Sequence, residues 1–279
     1  MLQYDLQTIQ HGLSSNQIVL RITDGLSITP LTDLGFTASS TEFQPSTSGR
    51  AWKRDYHHMR GNRSWLRDRD VLEGMVAHIT GGWGSIPSPS VSNIQREMEG
   101  SKWISTSGDL DWTIFEISRR LTVLRKDIKE VRLTVVRRYG KISRRYQGVK
   151  DIEVDPLLHL NKFLKSRRSY GNREKVQKAI NFANVSGEVL FLGKKFGKDI
   201  LESTVWTRDS TGLDLPTYML KPREQWRANQ SWMDRLIWDP SVHTSFTEVK
   251  KIIEENKRSG PGPGPDVDGI VNSVNRLRI

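Results

Sequence analysis

Seven apolar residues recur at alternating intervals of three and four: Ile114, Ile117, Leu121, Leu124, Ile128, Val131 and Val135. That spacing is the repeat of a helix with one apolar seam. Such a seam must be buried, either in the chain's own core or against a copy of itself. Asp109 or Asp111 fits the N-cap, because a carboxylate there accepts orphan backbone N–H groups. Gly140 fits the position just past the end. A helix of about 25–28 residues would be roughly 40 Å long. The end of the seam has a second reading. "VRLTVVRRYGKISRRYQGV" is rich in β-branched residues, which favour extended chain. The helix then stops near Lys129 and a basic hairpin turns at Tyr139–Gly140.

Overlaid on the seam is charge. Residues 119–150 hold twelve basic side chains against Asp127 and Glu130, a local +10 in a chain whose net charge is +11. Residues 151–178 add seven basic side chains against four acids, so 119–178 carries +13 and everything else −2. A field this localised points to a polyanionic partner, nucleic acid or an anionic membrane face. The arginines, which cannot be buried unpaired, are expected on the outside while the seam anchors the segment.

Around this segment the chain divides unevenly. Residues 1–36 are expected as a β-rich N-terminal segment, with "QIVLRITDG" and "LSITPLTD" as short strands about a turn at Asp24–Gly25. Residues 37–49 are a polar linker or loop. The main α+β domain is expected over 50–259. It opens on a basic and aromatic cluster with Trp52, Tyr56 and Trp65 interleaved among arginines. Helices are expected over 70–79, from Asp155–Pro156 to about Arg168, from Arg173 to Ala183, and from Thr244 or Ser245 to Gly260. "EVLFLG" reads as a strand, and 203–240, with four of the nine tryptophans, as an irregular aromatic lobe. A Gly-Pro linker at 260–265 tethers an amphipathic tail, 266–279. The expected fold is therefore α+β and helix-rich, with a small β-containing N-terminal part, a long central amphipathic basic helix and a tethered C-terminal tail.

Enzyme signatures are weak. "GKKFGK" lacks the glycine spacing and the Ser/Thr of a phosphate-binding loop. Asp109 and Asp111 are explained by helix capping. Asp239 with Glu248 and Lys250 only superficially resembles a metal-dependent nuclease pattern. His57 and His58 read as a polar surface pair, and cysteine is absent. No cofactor and no metal is expected. The favoured expectation is a non-enzymatic protein that binds RNA or single-stranded nucleic acid and self-assembles into a homo-oligomer. Its phosphate contacts would be Arg119, Arg120, Arg125, Arg132, Arg137, Arg138, Arg144, Arg145, Arg167 and Arg168, with Trp52 and Tyr139 stacking on bases. Its oligomer seam, a coiled coil, would be Ile114, Ile117, Leu121, Leu124, Ile128 and Val131. The alternatives are a matrix-like peripheral protein on anionic membrane, with the tail inserting or taking a protein partner, and a metal-dependent nuclease. In general character this resembles viral nucleic-acid-binding, matrix or movement proteins, with no motif to carry the likeness. "MLQYDLQTIQHG" has no basic start followed by an apolar run, and no stretch is long and apolar enough to span a bilayer. An intracellular site is expected, in the cytoplasm, with the basic pairs also readable as a nuclear import signal.

Overall fold

The computed structural model describes residues 4–25, 27, 29, 31–33, 35–39, 69–81, 101–124, 128–138, 152–165 and 173–259. Its centre is an antiparallel sheet of six strands, which corrects the expectation of a small N-terminal β part. In chain order the elements are α1 (Leu6–Ser14), β1 (Ile18–Asp24), β2 (Gly35–Thr37), α2 (Arg69–Gly81), β3 (Trp103–Ser107), α3 (Leu110–Arg119), β4 (Glu130–Arg137) and β5 (Ile152–Val154). They continue with α4 (Pro156–Lys165), α5 (Arg173–Ser186), β6 (Glu188–Leu192), β7 (Lys194–Phe196), β8 (Ile200–Thr207) and α6 (Phe246–Ser259). The strands of the main sheet lie in the order β5-β6-β3-β1-β4-β8, and β2 pairs β7 in a second, two-stranded ladder.

The long central helix does not form. α3 ends at Arg119, one π-helical turn spans Arg120–Leu124, and β4 begins at Glu130. Val131 and Val135 satisfy both a helical and a strand period. Buried Leu133 between them satisfies only the period of two. β4 is held on both sides, by β1 from Ile18↔Arg137 to Asp24↔Val131 and by β8 from Glu130↔Thr207 to Val136↔Ile200. Two flanking ladders bury a strand more completely than one seam buries a helix, and the β-branched content of "VRLTVV" favours the same outcome.

Both faces of the sheet are covered. Ile18, Leu20 and Ile22 of β1, with Val131, Leu133 and Val135 of β4, enter one core cluster with α3, α6 and the lobe between β8 and α6. Val19 and Val136 enter the other, with α2, α4 and α5. The seam residues Ile114, Ile117, Leu121, Ile128 and Val131 are all buried in the first cluster. They face the protein's own interior, so no seam remains on this segment for a coiled coil; the side chain of Leu124 lies outside the described residues. The lobe matches the aromatic-packed expectation from Ser210 onward, whereas 200–207 is a regular strand. Trp206 and Trp232 meet edge to face at 5.4 Å. The Gly-Pro linker, the tail and most of the 37–49 loop lie outside the described residues.

One junction of the sheet is weak. β1 and β4 register over seven residue pairs and β3 and β6 over five, but β1 and β3 register only at Leu20↔Ser107. The ladder is interrupted there, in the middle of the sheet.

Candidate functional site

A charged side chain occupies the interruption. Arg21 sits inside the apolar run "IVLRI", where every residue from Ile18 to Thr23 is buried. Its Nη1 donates to the Ser105 carbonyl of β3, and its Nη2 donates to the carbonyl (3.0 Å) and hydroxyl of Thr29. The guanidinium also lies over the Phe36 ring, 4.7 Å from the centroid. Its Nε is buried without a hydrogen-bond partner. Such an orphan donor costs about 1–3 kcal/mol and calls for an explanation. Burial, then repulsion from Arg120, lowers the Arg21 pKa to about 9 against the support of Glu188. The group therefore remains a cation at neutral pH.

Two elements bring further polar groups to the same place. His78, near the end of α2, reaches β3 and the residues just before it: Nδ1 meets Ser101 Oγ at 2.7 Å and Nε2 meets Ser105 Oγ at 2.8 Å. Burial, helped by the charge of Arg21, pushes its pKa down to about 3, so the ring is neutral. Glu188 opens β6 opposite Ser107 and is 4% exposed. It is aimed by a tight approach. Gly187 has a φ of +59°, and its carbonyl accepts from Gly108 N–H at 2.8 Å. A Cβ at Gly187 would stand 3.1 Å from Asp109. Ser107 Oγ donates to the Ser186 carbonyl (2.6 Å), and Ser186 Oγ donates to Glu188 Oε2 (3.2 Å). The result is a sheltered cation, a neutral imidazole, a row of hydroxyls and a carboxylate, drawn from β1, α2, β3 and β6.

A second charged knot lies beside it. Arg120 is buried and bonded to Glu116 Oε1 (2.9 Å) and Asp24 Oδ2 (2.7 Å). Burial opposes its charge, but the two carboxylates outweigh that and hold its pKa above the ordinary value. Arg120 therefore closes the core and does not reach the surface. A groove of about 300 Å³ is lined by α2, α3, α5 and the start of α6. Its charged members, Glu116 and Arg119, are bonded to each other at 2.7 Å, which leaves the polar cluster the stronger candidate.

The remaining phosphate-binding candidates are scattered. Arg119 is half-buried against Glu116, and Arg138 is held by Glu153 (2.5 Å) and Asn16 (2.9 Å). Arg132 is half-buried in β4, and Arg137 is exposed at its end. Arg125, Arg144, Arg145, Arg167, Arg168, Trp52 and Tyr139 lie outside the described residues, as do His57 and His58. Asp109 caps α3, accepting from Trp112 N–H at 2.9 Å, as expected. Asp111 instead accepts from the Tyr218 hydroxyl and Lys257 Nζ, both at 2.8 Å. Asp239 accepts from Ser241, while Glu248 is exposed in the first turn of α6. Among the described residues no three His, Asp or Glu side chains gather as a metal site. Nor is any helix among them long and apolar enough to cross a membrane.

Arg21, His78, Ser105, Ser107 and Glu188 are absent from the sequence-based candidates. The signal open to sequence reasoning was a charge in the middle of an otherwise apolar strand, which is rare unless it is paired or used. Comparison with protein families, with curated proteins and with solved structures finds no match to this chain.

Proposed function

We propose that the β1–β3 gap is the active site of an enzyme that cleaves the glycosidic bond of a phosphate-bearing cationic N-glycoside, of which NAD is the natural example. The observation that carries this reading is the convergence of Arg21, His78, Ser105 and Glu188 where β1 and β3 register at a single residue pair. A guanidinium with an N–H to spare suits a phosphate oxygen. A carboxylate beside it suits the positive charge that develops on a sugar carbon as its bond to the leaving group stretches. Glycosidic cleavage of a neutral substrate needs a second acid to protonate the leaving group. Here Asp24 and Glu116 are committed to Arg120, and His78 is held neutral. A leaving group that departs without a proton fits this set. In a nicotinamide N-glycoside the C–N bond breaks, its electron pair returns to the ring nitrogen and neutral nicotinamide leaves. Water or an acceptor nucleophile then adds to the sugar carbon and gives its proton to the carboxylate or solvent.

Incubation with NAD, followed by chromatography for free nicotinamide, tests the proposal. Turnover is expected for NAD and not for neutral N-glycosides such as AMP. Equal inertness toward both, with and without added nucleophile or protein acceptor, would remove the proposal.

A second reading keeps the polyanion-binding expectation. Lys162 and Lys165 of α4 and Arg173, Lys175 and Lys178 of α5 are exposed, with Glu174 the acid among them, on two helices that pack together. Changing the four lysines to Gln should weaken RNA binding about equally for unrelated sequences. On single strands, the slope of log K against log salt should fall by about 0.7 for each phosphate that a lysine no longer neutralises. An unchanged RNA gel shift at two salt concentrations would remove this reading. Flotation with anionic liposomes in place of RNA binding would give the face to the membrane.

A further inference from the structure

We infer that Ser186 is the positioning residue of Glu188: its hydroxyl donates to the carboxylate, and turns to accept from it once the carboxyl has taken up a proton. Both residues are buried, Ser186 at the last position of α5 and Glu188 at the first of β6. Ser186 Oγ has two acceptors within reach, the Phe182 carbonyl one turn back (2.9 Å) and Glu188 Oε2 (3.2 Å). A hydroxyl carries one proton and two lone pairs, so it donates fully to only one of them at a time. While Glu188 is ionised, its carboxylate is the stronger acceptor and draws that proton. Once Oε2 is protonated it becomes the donor. Ser186 Oγ then accepts from it and gives its own proton to the Phe182 carbonyl. The pair stays bonded in both states through rotation about one side-chain bond.

The backbone that carries the pair is fixed independently of this hydroxyl. Ser107 Oγ donates to the Ser186 carbonyl at 2.6 Å and accepts from Asp109 N–H at 2.9 Å, and Gly108 N–H donates to the Gly187 carbonyl at 2.8 Å. Removing the Ser186 hydroxyl therefore leaves these bonds between α5, β6 and β3 in place and takes away a partner of the carboxyl. Of the charged groups nearby, Arg21 of β1 is the cation that Glu188 supports, and half-buried Asp109 stands beside Gly187 at the start of α3. The catalytic part of this inference rests on the proposed reaction, in which the water that adds to the sugar carbon passes a proton to the carboxylate. Ser186 accepts from the acid O–H so formed and returns to donating when that proton leaves for solvent. The sugar carbon keeps the hydroxyl, and Ser186 neither gains nor loses a proton.

Ser186→Ala, Ser186→Cys and Ser186→Thr form a graded series, from no donor through a weak thiol to a retained hydroxyl. In the infrared, the Glu188 carboxyl band, assigned by its loss in Glu188→Gln, should shift in Ser186→Ala, shift less in Ser186→Cys and return in Ser186→Thr. With NAD, Ser186→Ala should release nicotinamide about 10-fold more slowly at saturation, with KM unchanged, and Ser186→Thr should recover most of the loss. A melting curve shows which variants are folded; where the Thr methyl is not accommodated, Ala against Cys still decides. A folded Ser186→Ala whose carboxyl band stays at the wild-type position would overturn the inference. So would a Ser186→Ala that cleaves NAD as fast as an active wild type. A wild type that leaves NAD intact removes the glycosidic reading alone, and the infrared series then tests the Ser186–Glu188 pairing by itself.

Discussion

Two buried arginines, Arg21 in β1 and Arg120 in the π-helical turn after α3, show how the same residue type does different work. Arg120 is neutralised by two carboxylates, so replacing it with Ala leaves Glu116 and Asp24 buried without their cation. The expected cost is about 3–5 kcal/mol in a denaturation experiment, whereas Arg137→Ala, at an exposed position, should stay within about 0.5 kcal/mol of wild type. Equal effects would mean that the ion-pair knot contributes nothing. His78 gives a pH prediction with a definite sign. Its folded pKa, about 3, lies below the ordinary value of 6.5, so between those limits the unfolded chain binds the extra proton. Stability is therefore fully present above the unfolded pKa and is lost as pH falls from about 6.5 toward 3. His78→Gln should flatten the dependence of the urea midpoint on pH in that window, whatever it does to the midpoint at neutral pH. At this scale the Asp109 cap was legible, while the helix end expected at Gly140 and the site were not. Asp109 needs only its own helix to be recognised, while Arg21 meets Ser105 across 84 positions of chain.

At the level of elements, the 114–128 seam belongs to the core of a single chain. Ile117→Ala or Leu121→Ala should cost about 2–5 kcal/mol and leave the oligomeric state unchanged. Dissociation of an assembly without loss of stability would return the seam to an interface. Gly187 is the second element-scale test. Gly187→Ala forces a side chain into a left-handed conformation against Asp109 and so displaces the start of β6, where Glu188 sits. Nicotinamide release should fall more than stability does, measured as turnover beside a melting curve. α2, α4, α5 and α6 lie close to where caps, proline and apolar periodicity put them, because those signals are local. β4 was legible only as the alternative to a longer helix, because its period was ambiguous over 131–135 and its decisive partners, β1 and β8, are distant in sequence. The 3-4 repeat was real over α3 and accidental beyond it.

Over the whole molecule, the sheet is what turns a basic, polar chain with a mean hydropathy of −0.56 into a fold with a sheltered interior. It divides the core in two, and buried Arg21, Ser105 and Glu188 gather where β1 and β3 register at a single pair. The net charge advertised a surface and drew attention to residues 119–150. Of the arginines there, the described ones are largely absorbed: Arg120 by the core, Arg119 and Arg138 by carboxylates. Charge counted along a sequence cannot distinguish a displayed guanidinium from a neutralised one, because the acids that neutralise it, such as Asp24, come from other strands. The most direct test of the proposed site is the rate of nicotinamide release from NAD by wild type and Glu188→Gln, with the NAD affinity of each measured alongside. The variant should bind NAD with nearly unchanged affinity, since Arg21 is intact, and release nicotinamide at least about 100-fold more slowly. A variant that cleaves NAD as fast as wild type, or a wild type that neither binds nor cleaves it, would contradict the assignment of the β1–β3 gap as the active site.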